Sequence, residues 1–292
     1  MQHCGRFERP GMKTRVDRSE ATLQCYVQSI AILGPGLANW NDALSILSGK
    51  QNFCKSAFDI PPVTWLPAAE RRRVGKMVRL ALTVGKAAIQ DAGMDARDLA
   101  TVFTSSSGDG DNCDAIFQTL AHPESSERFI SPTRFHNSVH NAPAGYWSIA
   151  NQCTLPSTSL CAYDASFSAG LLEACCQVKS SGKSILLISS DVMYPYPLSG
   201  IRPMDSDFAV AMILSLSANN TTQAKLTLNC TSQPMSRMDT PELEALRSSN
   251  PSARSLPLLQ VLADKIETRG HDFSSMVYLE YLEPLSLEVR ID

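Results

Sequence analysis

Hydrophobic positions along the chain follow two periods, one typical of buried strands and one typical of helices. Short apolar runs bounded by turn residues predict strands at residues 25–33, 99–105, 157–160, 185–189, 208–217 and 225–230, and a terminal strand or hairpin at 276–289. Apolar residues at helical spacing predict helices at residues 40–47, 68–92, 114–120, 141–151, 164–179 and 256–267. This alternation predicts an α/β layered fold with a largely parallel or mixed sheet, in which the strands at 208–217 and 225–230 could pair.

Length and local composition predict how the chain is divided. At 292 residues with 43% hydrophobic positions, it can bury a full core. Residues 1–20 lack an apolar segment and are predicted to be a disordered N-terminal extension. The main domain covers residues 21–230, and a stretch at 231–255 rich in Ser, Pro and charged residues is predicted to be a linker. Residues 256–292 supply a C-terminal helix and hairpin that complete the domain.

Charge and cysteine usage exclude several classes of function. A formal net charge of −3 without a long basic run argues against nucleic-acid binding. The apolar runs are too short to span a bilayer. Nine cysteines without regular spacing argue against a disulfide framework and favour a reducing, cytoplasmic location. The Gly- and Ser-containing loop at 105–112 lacks a phosphate-binding pattern, so no cofactor is predicted.

Two histidines, His136 and His140, have a spacing that could bind zinc on a helix. Prolines bracket the pair, and no third ligand lies nearby in the sequence. We therefore predict no metal site.

Cys161 is the residue whose position indicates chemistry, because it lies between the strand at 157–160 and the helix at 164–179. Unpaired N–H groups at a helix start favour the nucleophilic thiolate. The alternative is an ordinary packing cysteine, since Cys is among the most buried residue types. Asp164, three residues later, is placed to cap the helix, and its negative charge works against thiolate formation.

The order of these segments resembles the N-terminal half of β-ketoacyl-ACP synthases. The resemblance is carried by LPAAERRRVGKMVRLALTVGKAAIQDAG, by SPTRFHNSVHNAPAGYWSIAN, by Cys161 with its helix and strand, and by the turn Arg202-Pro203-x-Asp205. It implies a thiolase-like layered fold, of the α/β/α/β/α type, with a shortened C-terminal part. More narrowly, the chain resembles the short ketosynthase-like subunits of bacterial aryl polyene and xanthomonadin-type pigment clusters.

The departures from that family bear on whether the chain is an enzyme. A working ketosynthase needs two histidines from its C-terminal half, but His271 is the only histidine after Cys161, and the family's H-G-T-G-T and glycine-rich segments have no counterpart. The resemblance thus implies a non-catalytic chain-length factor in which Cys161 is vestigial. Such a subunit forms a heterodimer with a complete β-ketoacyl-ACP synthase and works with an acyl carrier protein in fatty acid or polyketide-type chain elongation.

The resemblance also implies which residues face the partner. The segment at 132–141 matches the part of the family that reaches across the dimer, which implicates Thr133, Arg134, Phe135, Asn137 and Ser138 in the partner interface and substrate tunnel. For Phe135, the sequence leaves open whether the ring enters a partner's tunnel or fills this protein's own core.

Two other classes of function remain open on the sequence. One is a stand-alone acyltransferase, thioesterase or condensing enzyme that uses Cys161 as nucleophile with His136 or His140 as base. The other is a structural scaffold without a pocket.

Overall fold

The computed structural model describes residues 23–268 and 273–292, so the extension predicted at 1–20 and His271 lie outside the described residues. The strands are β1 (Leu23–Leu33), β2 (Ala100–Thr104), β3 (Ser157–Leu160), β4 (Ile185–Asp191), β5 (Phe208–Ser215), β6 (Ala224–Thr231), β7 (Ser275–Glu280) and β8 (Ser286–Ile291). The helices are α1 (Trp40–Leu47), α2 (Ala68–Arg71), α3 (Lys76–Ala92), α4 (Gly110–Leu120), α5 (Pro132–Asn137), α6 (Ala142–Asn151), α7 (Ser166–Ser181), α8 (Leu198–Ile201), α9 (Pro241–Ser249) and α10 (Leu256–Thr268). Each strand and helix predicted from the sequence has a counterpart here.

All eight strands form one mixed sheet in the order β3-β2-β4-β5-β1-β6-β8-β7. Strand β2 runs parallel to β3 and β4, whereas the other neighbours are antiparallel. The predicted mixed α/β architecture is confirmed. The second sheet of the five-layer arrangement has no counterpart in residues 23–268 and 273–292, which matches the expected shortening of the C-terminal part.

Strands β5 and β6 do not pair with each other, because β1 lies between them. The pairing of β1 with β5 also has a register shift between Val27 and Ser29. The Gln28 carboxamide donates to the Ser215 hydroxyl at 2.5 Å and accepts from the Thr221 hydroxyl at 3.0 Å. A polar residue inside an apolar strand thus binds the connection from β5 to β6.

Helices cover both faces of the sheet. Helices α3 and α6 pack on one face, and α1, α7, α9 and α10 contribute to the core on the other. Helix α7 approaches β2 closely because position 170 is glycine: a Cβ atom there would lie 2.2 Å from the Thr104 methyl carbon. This close contact fixes the height of α7 above the carboxyl ends of β2 and β4.

The helix predicted at 68–92 is interrupted between α2 and α3. Gly75, the residue before α3, has an extended backbone. A Cβ at this position would lie 2.6 Å from the Asp109 carboxylate, which caps α4 by accepting from the Asn112 N–H at 3.0 Å. The apolar stripe runs through the break, which is why its period alone predicts one continuous helix.

The prediction of a linker at 231–255 is wrong. This segment contains α9 and a short 3-10 turn, Ser252–Ser255, and it buries Leu243, Leu246 and Ala253 in the core. Composition misleads here because the segment's polar side chains are used inside the protein. Asn250, for example, is fully buried and donates to the Ser206 carbonyl at 2.9 Å.

The Asp191 carboxylate, at the end of β4, joins three separate parts of the chain. It accepts from the Ser106 N–H and the Ser106 hydroxyl, both at 2.7 Å, and from the Ser252 hydroxyl at 2.6 Å. Burial raises the pKa of this carboxyl, although the serine donors and the charge of Arg202 oppose the shift. The loop after β2 and the 3-10 turn of the C-terminal part are thereby held at the end of β4.

We expect Asp191→Ala to lower the free energy of unfolding by about 3 kcal/mol, because buried donors at Ser106 and Ser252 lose their acceptor. Asp191→Asn should cost about 1 kcal/mol, since the amide oxygen still accepts. Chemical denaturation measures both values. Equal losses for the two variants would show that the hydrogen bonds to Asp191 do not determine stability.

The raised pKa adds a pH dependence to the same comparison. For an acid whose folded pKa lies above its ordinary value of 3.8, the stabilising contribution is present below that value and is lost as the pH rises through the folded pKa. The stability gap between the unaltered protein and Asp191→Asn should therefore narrow as the pH rises from the ordinary value of 3.8 toward neutral pH. A gap that widens over this range would contradict the raised pKa.

Candidate functional site

Cys161 follows the last residue of β3, at the turn that leads into α7, as the sequence predicts. Its side chain is exposed, and its S–H donates to the Ser106 carbonyl at 2.7 Å. Because Ser106 is the residue held by Asp191, the buried carboxylate also fixes the position of this acceptor. The contact uses the thiol proton, so it is made by the thiol and not by the thiolate.

The residue with the unusual backbone at this turn is Tyr163 and not Cys161. Tyr163 has φ = 53°, in the left-handed region, and the only other described non-glycine residue there is Gln152, which ends α6. Where a nucleophile is presented on a strained strand-to-helix turn, the strained residue itself carries it. In this chain a phenol ring occupies that position.

Asp164 is held by two arginines and does not cap a helix. No side chain caps α7. The Asp164 carboxylate instead pairs with Arg202 and, at 3.0 Å, with Arg254 of the 3-10 turn, and Arg254 also pairs with Glu280 on β7. The Arg202 guanidinium stacks over the Tyr163 ring at 3.5 Å from its centre. The space beside the turn is thus filled by ion pairs that reach into the C-terminal part.

The two candidate histidines make contacts away from the sulfur. The Nε2 atom of His140 lies 2.9 Å from the Leu160 carbonyl oxygen, and the ring of His136 packs edge-on against Tyr146 at 6.0 Å between centres. Helix α5 ends at Asn137, so His136 and His140 do not share a helical face. Within residues 23–268 and 273–292, Ser106 is the one hydrogen-bond partner of the Cys161 sulfur.

The segment predicted to face a partner separates into two groups. Asn137 is buried: it donates to the Arg73 carbonyl at 2.7 Å and accepts from the Tyr146 hydroxyl at 2.9 Å. The Ser138 hydroxyl donates to the Phe135 carbonyl at 2.8 Å at the end of α5. These two side chains hold the segment in place, so their assignment to a partner interface is not supported by their contacts.

Thr133, Arg134 and Phe135 remain accessible. Arg134 is exposed and Thr133 half-exposed, and both line a polar cavity of about 410 Å³ between α4, α5 and the start of α3. The Phe135 ring is 67% exposed. Phe135 therefore does not fill this protein's own core.

Phe135 belongs to a larger set of exposed apolar side chains on α4, α5 and the connections that flank α5. We call this set the apolar face, and it comprises Phe117, Leu120, Phe129, Phe135 and Val139. Helices α4 and α5 are fastened to each other by a 2.8 Å hydrogen bond from the Asn112 amide to the Arg134 carbonyl. Large exposed apolar side chains on adjoining elements are typical of protein–protein contacts.

Metal binding and membrane insertion can both be assessed for the described residues. No group of three or more His, Cys, Asp or Glu side chains in residues 23–268 and 273–292 is arranged to hold a metal ion. No helix in these ranges is both long and apolar enough to cross a membrane.

The family model of the β-ketoacyl synthase N-terminal domain matches residues 48–274. The chain belongs to this family. The matched range includes residues 231–255, in agreement with the folded state of that segment. No curated protein sequence is significantly similar to the chain.

Solved structures show the same thiolase-like ketosynthase fold. The ketosynthase ApeO in complex with its chain length factor ApeC, from Xenorhabdus doucetiae, gives a TM-score of 0.65 at 22% identity, over 91% of this chain and 98% of that chain. The ishigamide ketosynthase/chain length factor gives 0.71 at 11% identity, over 92% and 99%. A type II polyketide acyl-carrier protein in complex with its ketosynthase, AntDE:AntF, gives 0.69 at 10% identity, over 92% and 99%.

Sequence reasoning missed three functional features of the site. The left-handed backbone at Tyr163 could not be read from the sequence, because glycine, asparagine and aspartate are the residues that indicate this conformation and tyrosine is not. The ion pairs of Arg254 and Glu280 with the turn join residues far apart in the chain. The role of Asp191 could have been suspected from a lone carboxylate at the end of an apolar strand.

We expect Cys161 to react with iodoacetamide at a rate within a few-fold of the rates of Cys54 and Cys230, which are also exposed, because no base is hydrogen-bonded to its sulfur. Mass spectrometry of tryptic peptides after timed alkylation measures all three rates in one sample. If Cys161 reacts at least about 100-fold faster than Cys54 and Cys230, its thiol is activated and the nucleophile hypothesis is supported.

Proposed function

We propose that this chain is a non-catalytic, chain-length-factor-like subunit that pairs with a complete β-ketoacyl-ACP synthase. The observation that carries the proposal is the apolar face, because a subunit that works alone gains nothing from exposing five large apolar side chains on adjoining elements. The face includes Phe135, the residue that the family resemblance directs toward a partner. In this proposal the face is covered by the ketosynthase.

The turn at Cys161 supports the non-catalytic half of the proposal. The thiol donates to a backbone carbonyl, and the strained position on the turn holds Tyr163 beneath the Arg202 guanidinium. An acyl-enzyme needs a free nucleophile and space for the thioester carbonyl next to it. A stand-alone enzyme using Cys161 remains the second candidate, favoured only by the accessibility of the sulfur.

An acyl carrier protein is the second partner in this proposal, and the pathway is chain elongation of the aryl polyene or another polyketide type. Carrier proteins are acidic, and Arg71, Arg72 and Arg73 form an exposed basic run before α3. Opposite charges on two surfaces speed their encounter and orient the complex. The expected cytoplasmic location rests on the nine cysteines without regular spacing in the sequence.

Association is the first test. We expect the chain to be poorly soluble alone and to co-purify as a one-to-one complex with a complete ketosynthase of the same organism, because the complex buries the apolar face. Size-exclusion chromatography with light scattering measures the stoichiometry. A soluble monomer that does not bind the ketosynthase would contradict the proposal.

Product length is the second test. If the Phe135 ring closes the far end of the partner's tunnel, Phe135→Ala makes room for one or two more vinyl units, and each buried unit gains on the order of 1 kcal/mol. The products should shift to longer chains with little change in total turnover, as measured by mass spectrometry of carrier-bound products.

Phe117→Ala is the matched control, because Phe117 is 65% exposed and Phe135 is 67% exposed. This variant removes the same ring from α4 and should leave product lengths unchanged. If both variants shift the lengths equally, or if neither does, Phe135 does not close the tunnel.

A further inference from the structure

The Tyr163 ring is exposed but held in a fixed position. It is 59% exposed, although the guanidinium stacked on it belongs to Arg202, whose side chain is only 18% exposed. Arg202 is itself fixed by its ion pair with Asp164. One face of the ring is therefore covered by a largely buried cation, and the rest of the ring is open.

The backbone beneath the ring is equally constrained. The Ser166 hydroxyl accepts from the Ala162 N–H at 3.0 Å and donates to the Tyr163 carbonyl at 2.7 Å, and the Ala165 N–H donates to the Ala162 carbonyl at 2.9 Å. These bonds hold Tyr163 at a positive φ, a backbone conformation that residues other than glycine rarely adopt. The turn keeps an unfavourable backbone and an exposed aromatic ring together, and the Tyr163 hydroxyl makes no hydrogen bond to residues 23–268 or 273–292.

A hydrogen bond joins the segment of the apolar face to the strand that precedes Tyr163. The Nε2 atom of His140, the residue after Val139, lies 2.9 Å from the Leu160 carbonyl oxygen at the end of β3. Strand β3 is the terminal strand of the sheet, and Tyr163 lies three residues beyond it. Helix α8, which ends directly before Arg202, presents Ile201, which is 84% exposed.

We propose that the Tyr163 ring, held by Arg202, is a preformed anchor that inserts into the surface of the ketosynthase partner. The inference rests on the proposed function and names a contact of the same interface. Tyrosine and arginine dominate the energetics of protein interfaces, and a side chain that is already fixed loses little entropy on binding. The matching pocket on the ketosynthase is apolar and leaves the phenolic O–H at its rim, in contact with water.

The test replaces Tyr163 by glycine, a residue that adopts a positive φ without strain. Tyr163→Gly should keep or raise the melting temperature of the subunit and raise its Kd for the ketosynthase at least about 10-fold. Tyr163→Phe keeps the ring and the Arg202 stack, so its Kd should stay within about 3-fold of the unaltered value. Surface plasmon resonance with immobilised ketosynthase measures Kd, and scanning fluorimetry measures the melting temperature, both at a low concentration that keeps the poorly soluble subunit in solution.

Gln152→Gly is the matched control, because Gln152 has φ = 52° and ends α6. It relaxes the backbone in the same way without removing an aromatic ring, and its Kd should be unchanged. Unchanged Kd for Tyr163→Gly, with or without a lowered melting temperature, would show that the ring serves only its own fold and would overturn the anchor. If the unaltered protein fails to bind the ketosynthase, the proposed function fails first, and the anchor fails with it.

Discussion

The buried carboxylate of Asp191 is the interaction on which the site and the C-terminal part both depend. An ionisable side chain at the end of an apolar strand is costly to bury, and here donors from Ser106 and Ser252 offset that cost. Ser106 in turn places its carbonyl against Cys161, and Ser252 begins the 3-10 turn that carries Arg254. One carboxylate thus sets the geometry of the turn and holds the segment that closes over it.

This arrangement explains why residues 231–255 are folded despite their composition. In a linker, serine, asparagine and arginine are solvated, and the sequence gives no means of telling a solvated polar side chain from a buried one that has found a partner. Asn250 and Ser252 are fully buried because their partners, the Ser206 carbonyl and the Asp191 carboxylate, lie at the carboxyl end of the sheet. The pairing is long-range, so local composition does not show it.

The parts of the fold that could be predicted are those in which apolar periodicity and local caps agree. The bounds of α1 and β3 match their predictions to the residue, since Asn39 caps α1 and a short polar-edged run marks β3. Strand order could not be predicted, because the pairing of β1 with both β5 and β6 joins residues far apart in the chain. In the candidate site, the position of Cys161 was predictable from its strand and helix, whereas the left-handed backbone at Tyr163 is imposed by surrounding contacts.

The contacts that make the turn rigid also oppose the approach of an acyl group from the side of the C-terminal part. A thioester carbonyl that approached Tyr163 or Cys161 from the side of the C-terminal part would have to displace the Arg202 guanidinium from the ring and separate it from Asp164, which is also paired with Arg254. Breaking partly buried ion pairs leaves charges without partners, so this rearrangement is unfavourable. Under the proposed function, the turn presents a fixed aromatic surface to a partner, and a side chain that is already fixed loses little entropy when the partner binds.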